Sequence, residues 1–157
     1  MKRLRLDKID KKILDSLQKN GRMTNVDLAK ESGISAPPCL RRVRALEEAG
    51  LIKGYHAKVD RAALGYGVTI FALVKLNSQA ESDLVKFEKH VSSLPMVREC
   101  HMLAGDVDFM LRIVAKDWDA YQELLTHELT TAPNVNSVKS SLSIRSAKEE
   151  PGVPIDG

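Results

Sequence analysis

Residues 35–49 read "SAPPCLRRVRALEEA", from Ser35 to Ala49, and they pose a conflict: a helix-forming run begins behind two prolines. Amides in the first turn of a helix have no acceptor inside it, so proline there gives up little, and its fixed φ suits the helix. Pro37 and Pro38 therefore mark a helix start, with Ser35 as its N-cap. Leu40, Val43 and Leu46, continued by Ala49, form one apolar face, and Arg41, Arg42 and Arg44 are expected to splay away from it. Glu47, Glu48 and Gly50 follow, which confines the positive charge to the N-terminal half.

Two shorter segments precede this helix. In "DKIDKKILDSLQKNGR", Ile9, Ile13, Leu14 and Leu17 recur at helical spacing, with Asp7 placed to cap and Gly21 to stop. In "TNVDLAKESG", Thr24 is the cap, Asp27 adds negative charge to the first turn, and Val26, Leu28 and Ala29 are expected to turn inward before Gly33. Three short helices, the last two joined tightly through a glycine, make a helix-turn-helix. In such proteins the N-terminal half of the last helix enters the major groove of DNA. A solvated helix with scattered charge is the plainer alternative, and the capped helix and glycine turn ahead of it weigh against that. "LIKGYHAKVD" has strand-like composition and suits a wing or an interdomain strand.

Charge divides where this module ends. Residues 1–61 hold 15 Lys/Arg against 8 Asp/Glu, whereas residues 62–157 hold 9 against 13, within a net charge of +3. That split points to two modules with different partners. A length of 157 residues accommodates one large domain or two small ones. No apolar run approaches membrane-spanning length, and the basic start "MKRLRLDKIDKK" has no apolar stretch behind it, so no membrane partner and no secretory signal are expected. Cys39 and Cys100 lack metal-ligand spacing and read as reduced thiols of a cytoplasmic protein.

Beyond Asp60 the pattern changes. Val68, Ile70, Ala72, Val74 and Leu76 alternate along one strand face; Leu84, Phe87, Val91 and Leu94 form the stripe of a helix starting near Glu81. "MVRECHMLAG" and "DFMLRIVAK" are two strands joined through Gly105–Asp108. Asp117 caps a helix with Trp118, Tyr121, Leu125 and Leu129 inward, and "VNSVKSSLSIRS" is a last strand. The order β-α-β-β-α-β is the ferredoxin-like split βαβ arrangement, so the class is α+β. Phe71, Leu73, Cys100, Met102, Met110 and Val114 are expected on the opposite sheet face, making both faces apolar and the sheets of two chains a natural pair. The tail "AKEEPGVPIDG" is polar, rich in Pro and Gly, and expected to be loosely held. The expected organisation is residues 1–61 for DNA binding, 62–146 as the ferredoxin-like module through which chains pair, and 147–157 as tail.

"LDKIDKKILDSLQKNGR", "NVDLAKESGIS", "PPCLRRVRALEEAGLIKGY" and "ECHMLAGDVDFML" together closely resemble the Lrp/AsnC (feast/famine) transcriptional regulators, over roughly residues 4–150. "PPCLRRVR" and "ECHMLAGDVD" are closer to the leucine-responsive branch. The resemblance implies an N-terminal winged helix-turn-helix and a C-terminal ferredoxin-like sensing and assembly module, the RAM domain, which adds effector binding to residues 62–146. It further implies homodimers that commonly associate into octamers, sometimes tetramers or hexadecamers.

The DNA-contact candidates are Arg41, Arg42 and Arg44, with Ser35, Ala36 and Pro37 near the groove and Lys53 and Lys58 on phosphate. Two helices in a dimer predict a roughly palindromic site, and Arg42→Ala is expected to weaken binding while the oligomer survives. The turn Ala104–Gly105–Asp106–Val107–Asp108 offers backbone amides to a carboxylate, and Asp106 or Asp108 to an ammonium. Taken alone it is an ordinary hairpin turn. The resemblance implies an effector amino acid there, between dimers, with Asn136 and Ser140 as partner-side contacts. The aliphatic module favours a leucine-like ligand. An effector held between dimers would act by population shift.

Two rival readings bear on function. His56, His90, His101 and His127 raise acid/base or metal chemistry, but they are dispersed, without a nucleophile motif, phosphate loop or metal spacing. Siroheme decarboxylase subunits share the two-module architecture, yet a basic, proline-capped recognition helix is what such an enzyme would have reason to lose; no catalysis and no cofactor are expected. The nearer rival is a nucleoid-type architectural protein with little effector response.

Overall fold

The computed structural model describes residues 5–155; the start of the basic N-terminal stretch and the last two tail residues lie outside them. The chain divides into two compact units. One runs to Val59 and takes back the residues from Lys148 onward; the other is Asp60–Ala147.

The first unit is three helices, α1 (Lys8–Lys19), α2 (Asn25–Ser32) and α3 (Ala36–Glu48). Asp7 and Asp10 form a reciprocal capping box: the Asp7 carboxylate accepts the Asp10 N–H at 2.9 Å, and Asp10 accepts the Asp7 N–H at 3.1 Å. Thr24 caps α2 by accepting the Asp27 N–H at 3.1 Å, and Gly33 ends it at φ 72°, the left-handed conformation glycine tolerates. The core is Ile13, Leu28, Ala29, Cys39 and Leu46, with Ile9, Leu14, Leu17, Val43 and Ile52 packed around it.

Three expectations are corrected here. Val26 is exposed, so α2 turns only Leu28, Ala29 and Ser32 inward. Cys39 rather than Leu40 leads the inner face of α3. Cys39, Val43 and Leu46 stand at i, i+4 and i+7, while Leu40 sits at the rim. Burial pushes the Cys39 thiol pKa up. Residues 53–60 form no strand ladder; Tyr55 lies over Gly21 and donates to Glu47 at 2.9 Å.

The tail is held, not loose. Gln18 on α1 donates to the Val153 carbonyl at 2.9 Å and accepts the Val153 N–H at 3.1 Å, so one side-chain amide pairs with both polar groups of one tail residue. The pairing spans 135 residues of sequence, which is why the local composition of the tail gave no sign of it.

The second unit is a four-stranded antiparallel sheet in the order β2-β3-β1-β4. Its strands are β1 (Val68–Leu76), β2 (Val97–Met102), β3 (Phe109–Ala115) and β4 (Val135–Leu142). Helix α4 (Glu81–Ser92) and helix α5 (Trp118–Leu124), extended by a π-helical turn Leu125–Leu129, supply Phe87, Val91, Tyr121 and Leu129 to one core with Ile70, Val74, Phe109 and Ile113. Asp117 caps α5 by accepting the Ala120 N–H at 2.8 Å. Trp118 is 48% exposed and lies tilted against Tyr121 with ring centroids 5.4 Å apart, in place of the inward position expected for it.

The open sheet face also differs from expectation. Phe71, Leu73, Met110 and Val114 lie on it, half-buried. Cys100 and Met102 do not: they pair with the core residues Leu111 and Phe109 and so share the helix-covered side. A strand's parity is inherited from its partner across the ladder, and an irregularity between Val97 and Glu99 resets it here. The same pairing brings Glu99 onto the open face beside Arg112, whose guanidinium reaches the carboxylate at 2.6 Å and holds it below the usual carboxylate range. That face is therefore apolar at its centre and charged toward β2.

Candidate DNA interface and effector loop

Helix α3 starts where Ser35 stands, with N-cap geometry (φ −80°, ψ 159°) but no side-chain cap bond. A cap hydroxyl accepts from the amide two or three residues on. Those residues are Pro37 and Pro38, which have no N–H. Ser35 contributes instead through its carbonyl, which accepts the Cys39 N–H at 3.2 Å. Its hydroxyl is left exposed at the helix N-terminus.

On α3, Pro37, Arg41, Arg44 and Glu48 follow one another at spacings of three and four, and all are exposed. This stripe carries two of the three arginines. Arg42 leaves it: its Nη1 lies 2.7 Å from Asp10 Oδ1 and 2.8 Å from Asp7 Oδ2, both at the start of α1. The expectation that all three arginines splay away from the helical bundle is corrected accordingly. The physical reason is that two carboxylates already fixed by the capping box converge beneath the second turn of α3. Arg42's pKa is raised by the hydrogen bonds it donates to Asp10 and then Asp7. Ala36 is half-buried and its carbonyl accepts from Asn25 at 2.9 Å, which ties the start of α3 to α2. Lys53 is exposed; Lys58 is engaged by Glu149 of the tail, at 3.6 Å to its carboxylate.

The loop 104–108 closes the β2–β3 hairpin, with the Leu103 N–H donating to the Asp108 carbonyl at 2.8 Å. Ala104, Gly105 and Asp106 are exposed, and Val107 and Asp108 half-buried. A Cβ added at Gly105 would meet nothing within 4 Å and its φ is not left-handed, so nothing in this protomer requires glycine there. The two aspartates have parted roles. Asp108 accepts the Leu76 N–H at 2.7 Å and the Gln79 amide at 3.2 Å, bracing the loop against β1, while Asp106 makes no hydrogen bond among the described residues.

Asn136 and Ser140 are not equivalent either. Asn136 donates to Asn77 at 2.7 Å, at the same end of the sheet as Asp108 and Gln79. Ser140 pairs across the ladder with Ala72, and its hydroxyl bonds that of Tyr121, whose side chain is wholly buried. The side chain of Ser140 therefore points to the helix-covered side. Missed from sequence were Asp10 and Gln79; for Asp10 the spacing Asp7-x-x-Asp10 was an available signal, since it is a capping-box pattern. No cluster of metal-ligating side chains occurs among the described residues. No helix among them is long and apolar enough to cross a membrane.

A basic, proline-started recognition helix in a three-helix unit, followed by a βαββαβ unit with an open loop, defines a DNA-binding regulator with a separate ligand module. Residues 6–53 match the winged helix-turn-helix DNA-binding family, and residues 69–153 the Lrp/AsnC ligand binding domain family. The chain is 48% identical to the leucine-responsive regulatory protein of Rhizobium meliloti over 94% of each chain. It is 41% identical to the Bkd operon transcriptional regulator of Pseudomonas aeruginosa, over 96% of this chain and 98% of that one. Among solved structures, a transcriptional regulator of Neisseria meningitidis in complex with L-Met superposes with a TM-score of 0.92 at 32% identity, covering 97% and 98% of the two chains. The chain belongs to the Lrp/AsnC family of transcriptional regulators. Its function is DNA-binding regulation modulated by a small effector, and a ligand-binding module over more than half the chain disfavours the purely architectural alternative.

Proposed function

We propose that this chain reads operator DNA of amino-acid metabolic genes through Arg41 and Arg44, with Ser35, Ala36 and Pro37 at the groove and Lys53 on phosphate. The observation that carries this is the exposed Pro37–Arg41–Arg44 stripe, which leaves both guanidinium groups clear of the bundle. Lys58 would reach phosphate only after parting from Glu149.

An apolar amino acid is the proposed effector. Its carboxylate would meet the amides of Ala104–Val107 and its ammonium Asp106, since Asp108 is committed to Leu76 and Gln79. The relative from N. meningitidis is named as an L-Met complex, which agrees with leucine or methionine here. Asn136, at the loop's end of the sheet, is kept as a contact from a neighbouring dimer; Ser140, bonded to Tyr121, supports the strand instead. The open face around Phe71, Leu73 and Met110 is proposed as the homodimer surface, with dimers assembling into an octamer in a cytoplasmic, nucleoid-associated regulator without catalytic activity.

The test is an anisotropy titration of the full chain on a duplex it selects from a random pool, with and without leucine or methionine. Binding that an amino acid changes at least threefold supports the reading. Binding that no amino acid in a full panel alters removes the sensor part, and no selected sequence at all removes the operator part.

A further inference from the structure

We infer that Arg42 is a positioning residue: it orients the recognition helix from α1 and does not itself touch DNA. This rests on the DNA-binding reading and divides the three arginines by task. One guanidinium nitrogen spans two carboxylates, Asp10 at 2.7 Å and Asp7 at 2.8 Å, on a different helix and 32 and 35 residues away in sequence. Both carboxylates are also fixed independently of Arg42, because each accepts the other's backbone N–H at the start of α1. The Asp10 side chain is only 12% exposed, so its charge has little water to fall back on and the pair resists opening.

The charges reinforce this. One arginine and two aspartates sum to −1, so the Arg42 charge is more than matched by its own two partners. Positive potential on α3 comes from Arg41 and Arg44 alone among its residues. Base readout tolerates little error in helix placement, because a bidentate arginine must meet its base edge within hydrogen-bond reach. To α1 and α2, α3 is otherwise joined by apolar contacts and by the Asn25 amide at its first residue; its far end is tied through Glu47 to Tyr55. The Arg42 bridge is a directional link at its second turn, beside the arginines that read.

Asp10→Asn separates the two roles by sign. If Arg42 were a DNA contact, removing a nearby negative charge would free it and tighten binding. If it positions α3, the same change loosens the bridge and weakens binding to the selected duplex roughly tenfold, with binding to an unrelated duplex of equal length changed far less. Titrations of the full chain are run well below each variant's melting midpoint, where a merely destabilised protein binds normally. Arg42→Ala should match Asp10→Asn and leave the slope of log affinity against log salt unchanged; a phosphate contact would lower that slope by about 0.9. Should Asp10→Asn not fold, Asp7→Ser keeps a cap oxygen for the Asp10 N–H while removing one acceptor of Arg42, and the same ratio of selected to unrelated duplex is read. Tighter or unchanged binding in either aspartate variant, or a reduced slope in Arg42→Ala, overturns the inference. The native protein's binding in the same titrations checks the DNA-binding reading separately.

Discussion

Ser35 stands at the N-cap of α3 without a side-chain hydrogen bond, because Pro38, three residues on, has no N–H to give it. Thr24, at the equivalent place on α2, does accept the N–H of Asp27 at 3.1 Å. The two hydroxyls therefore differ in kind. One stabilises the fold, and the other is free at a positive helix end, where a phosphate oxygen is a fitting partner.

Thermal melts should separate them. Thr24→Ala is expected to cost about 1 kcal/mol, the usual loss of a cap, and Ser35→Ala only a few tenths. DNA affinity should show the reverse order once both variants are compared in the folded state. A Ser35→Ala melt as damaging as Thr24→Ala would contradict the assignment.

The aspartates of the loop proposed to hold the effector divide in the same way. Asp108→Ala removes the carboxylate that holds Leu76 and Gln79, and the melting transition of the second unit should lose about 1.5–3 kcal/mol, the range for a hydrogen bond to a charged group. Asp106→Asn should leave that transition in place. Its effect belongs to ligand binding, with calorimetric affinity for the effector falling about tenfold or more as the ammonium loses its counter-charge. If Asp106→Asn binds the effector normally, the ammonium is held elsewhere.

Sequence reasoning succeeded for the helix caps and for the alternation of the first strand, though periodicity misplaced Val26 and Trp118. Asp7, Thr24 and Asp117 act three residues along the chain, and Val68 through Leu76 alternate as a strand with one covered face should. It failed where a residue's partner was remote. Arg42 looked like its neighbours Arg41 and Arg44 until the fold brought Asp7 and Asp10 to it. Cys39 and Leu40 are adjacent apolar residues, and only the angle at which α3 meets α1 and α2 decides which is buried. Cys100 and Met102 took their side of the sheet from β3, beyond what the composition of β2 could reveal. For the effector loop, chain order located the turn, but the separate duties of Asp106 and Asp108 depend on β1 lying alongside.

An alkaline titration tests how the segment after α3 is held. Burial, and then the hydrogen bond to Glu47, raises the Tyr55 phenol to about 12. A group whose folded pKa exceeds its unfolded value of about 10 stabilises the fold fully below pH 10, and that stability is lost as pH rises through the folded pKa. Stability should therefore fall between about pH 10 and 12 by more in the native protein than in Tyr55→Phe. The absorbance change at 295 nm should likewise lose a late-titrating phenol in the variant. A Tyr55 that ionises near pH 10 would mean that neither its packing nor its Glu47 contact persists in solution.

The tail supplies the last test, because its seat on α1 depends on a residue with no side chain. Gly152 has φ 73°, and a Cβ there would lie 2.1 Å from the Gln18 amide oxygen that accepts the Val153 N–H. Gly152→Ala meets both obstacles, a left-handed backbone and a collision with the group that binds the next residue. Gln18→Ala removes the same pairing from the other side, and Gln18→Glu keeps the acceptor while losing the donor to the Val153 carbonyl. Limited trypsin digestion, followed by mass spectrometry, reads how often the chain opens at Lys148. Cleavage should be fastest in Gly152→Ala and Gln18→Ala, intermediate in Gln18→Glu and slowest in the native protein. The melting midpoint of the three-helix unit should move little, since its core of Ile13, Leu28, Cys39 and Leu46 does not involve the tail. Equal cleavage in all four proteins would show that the Gln18–Val153 pairing does not hold the tail in solution.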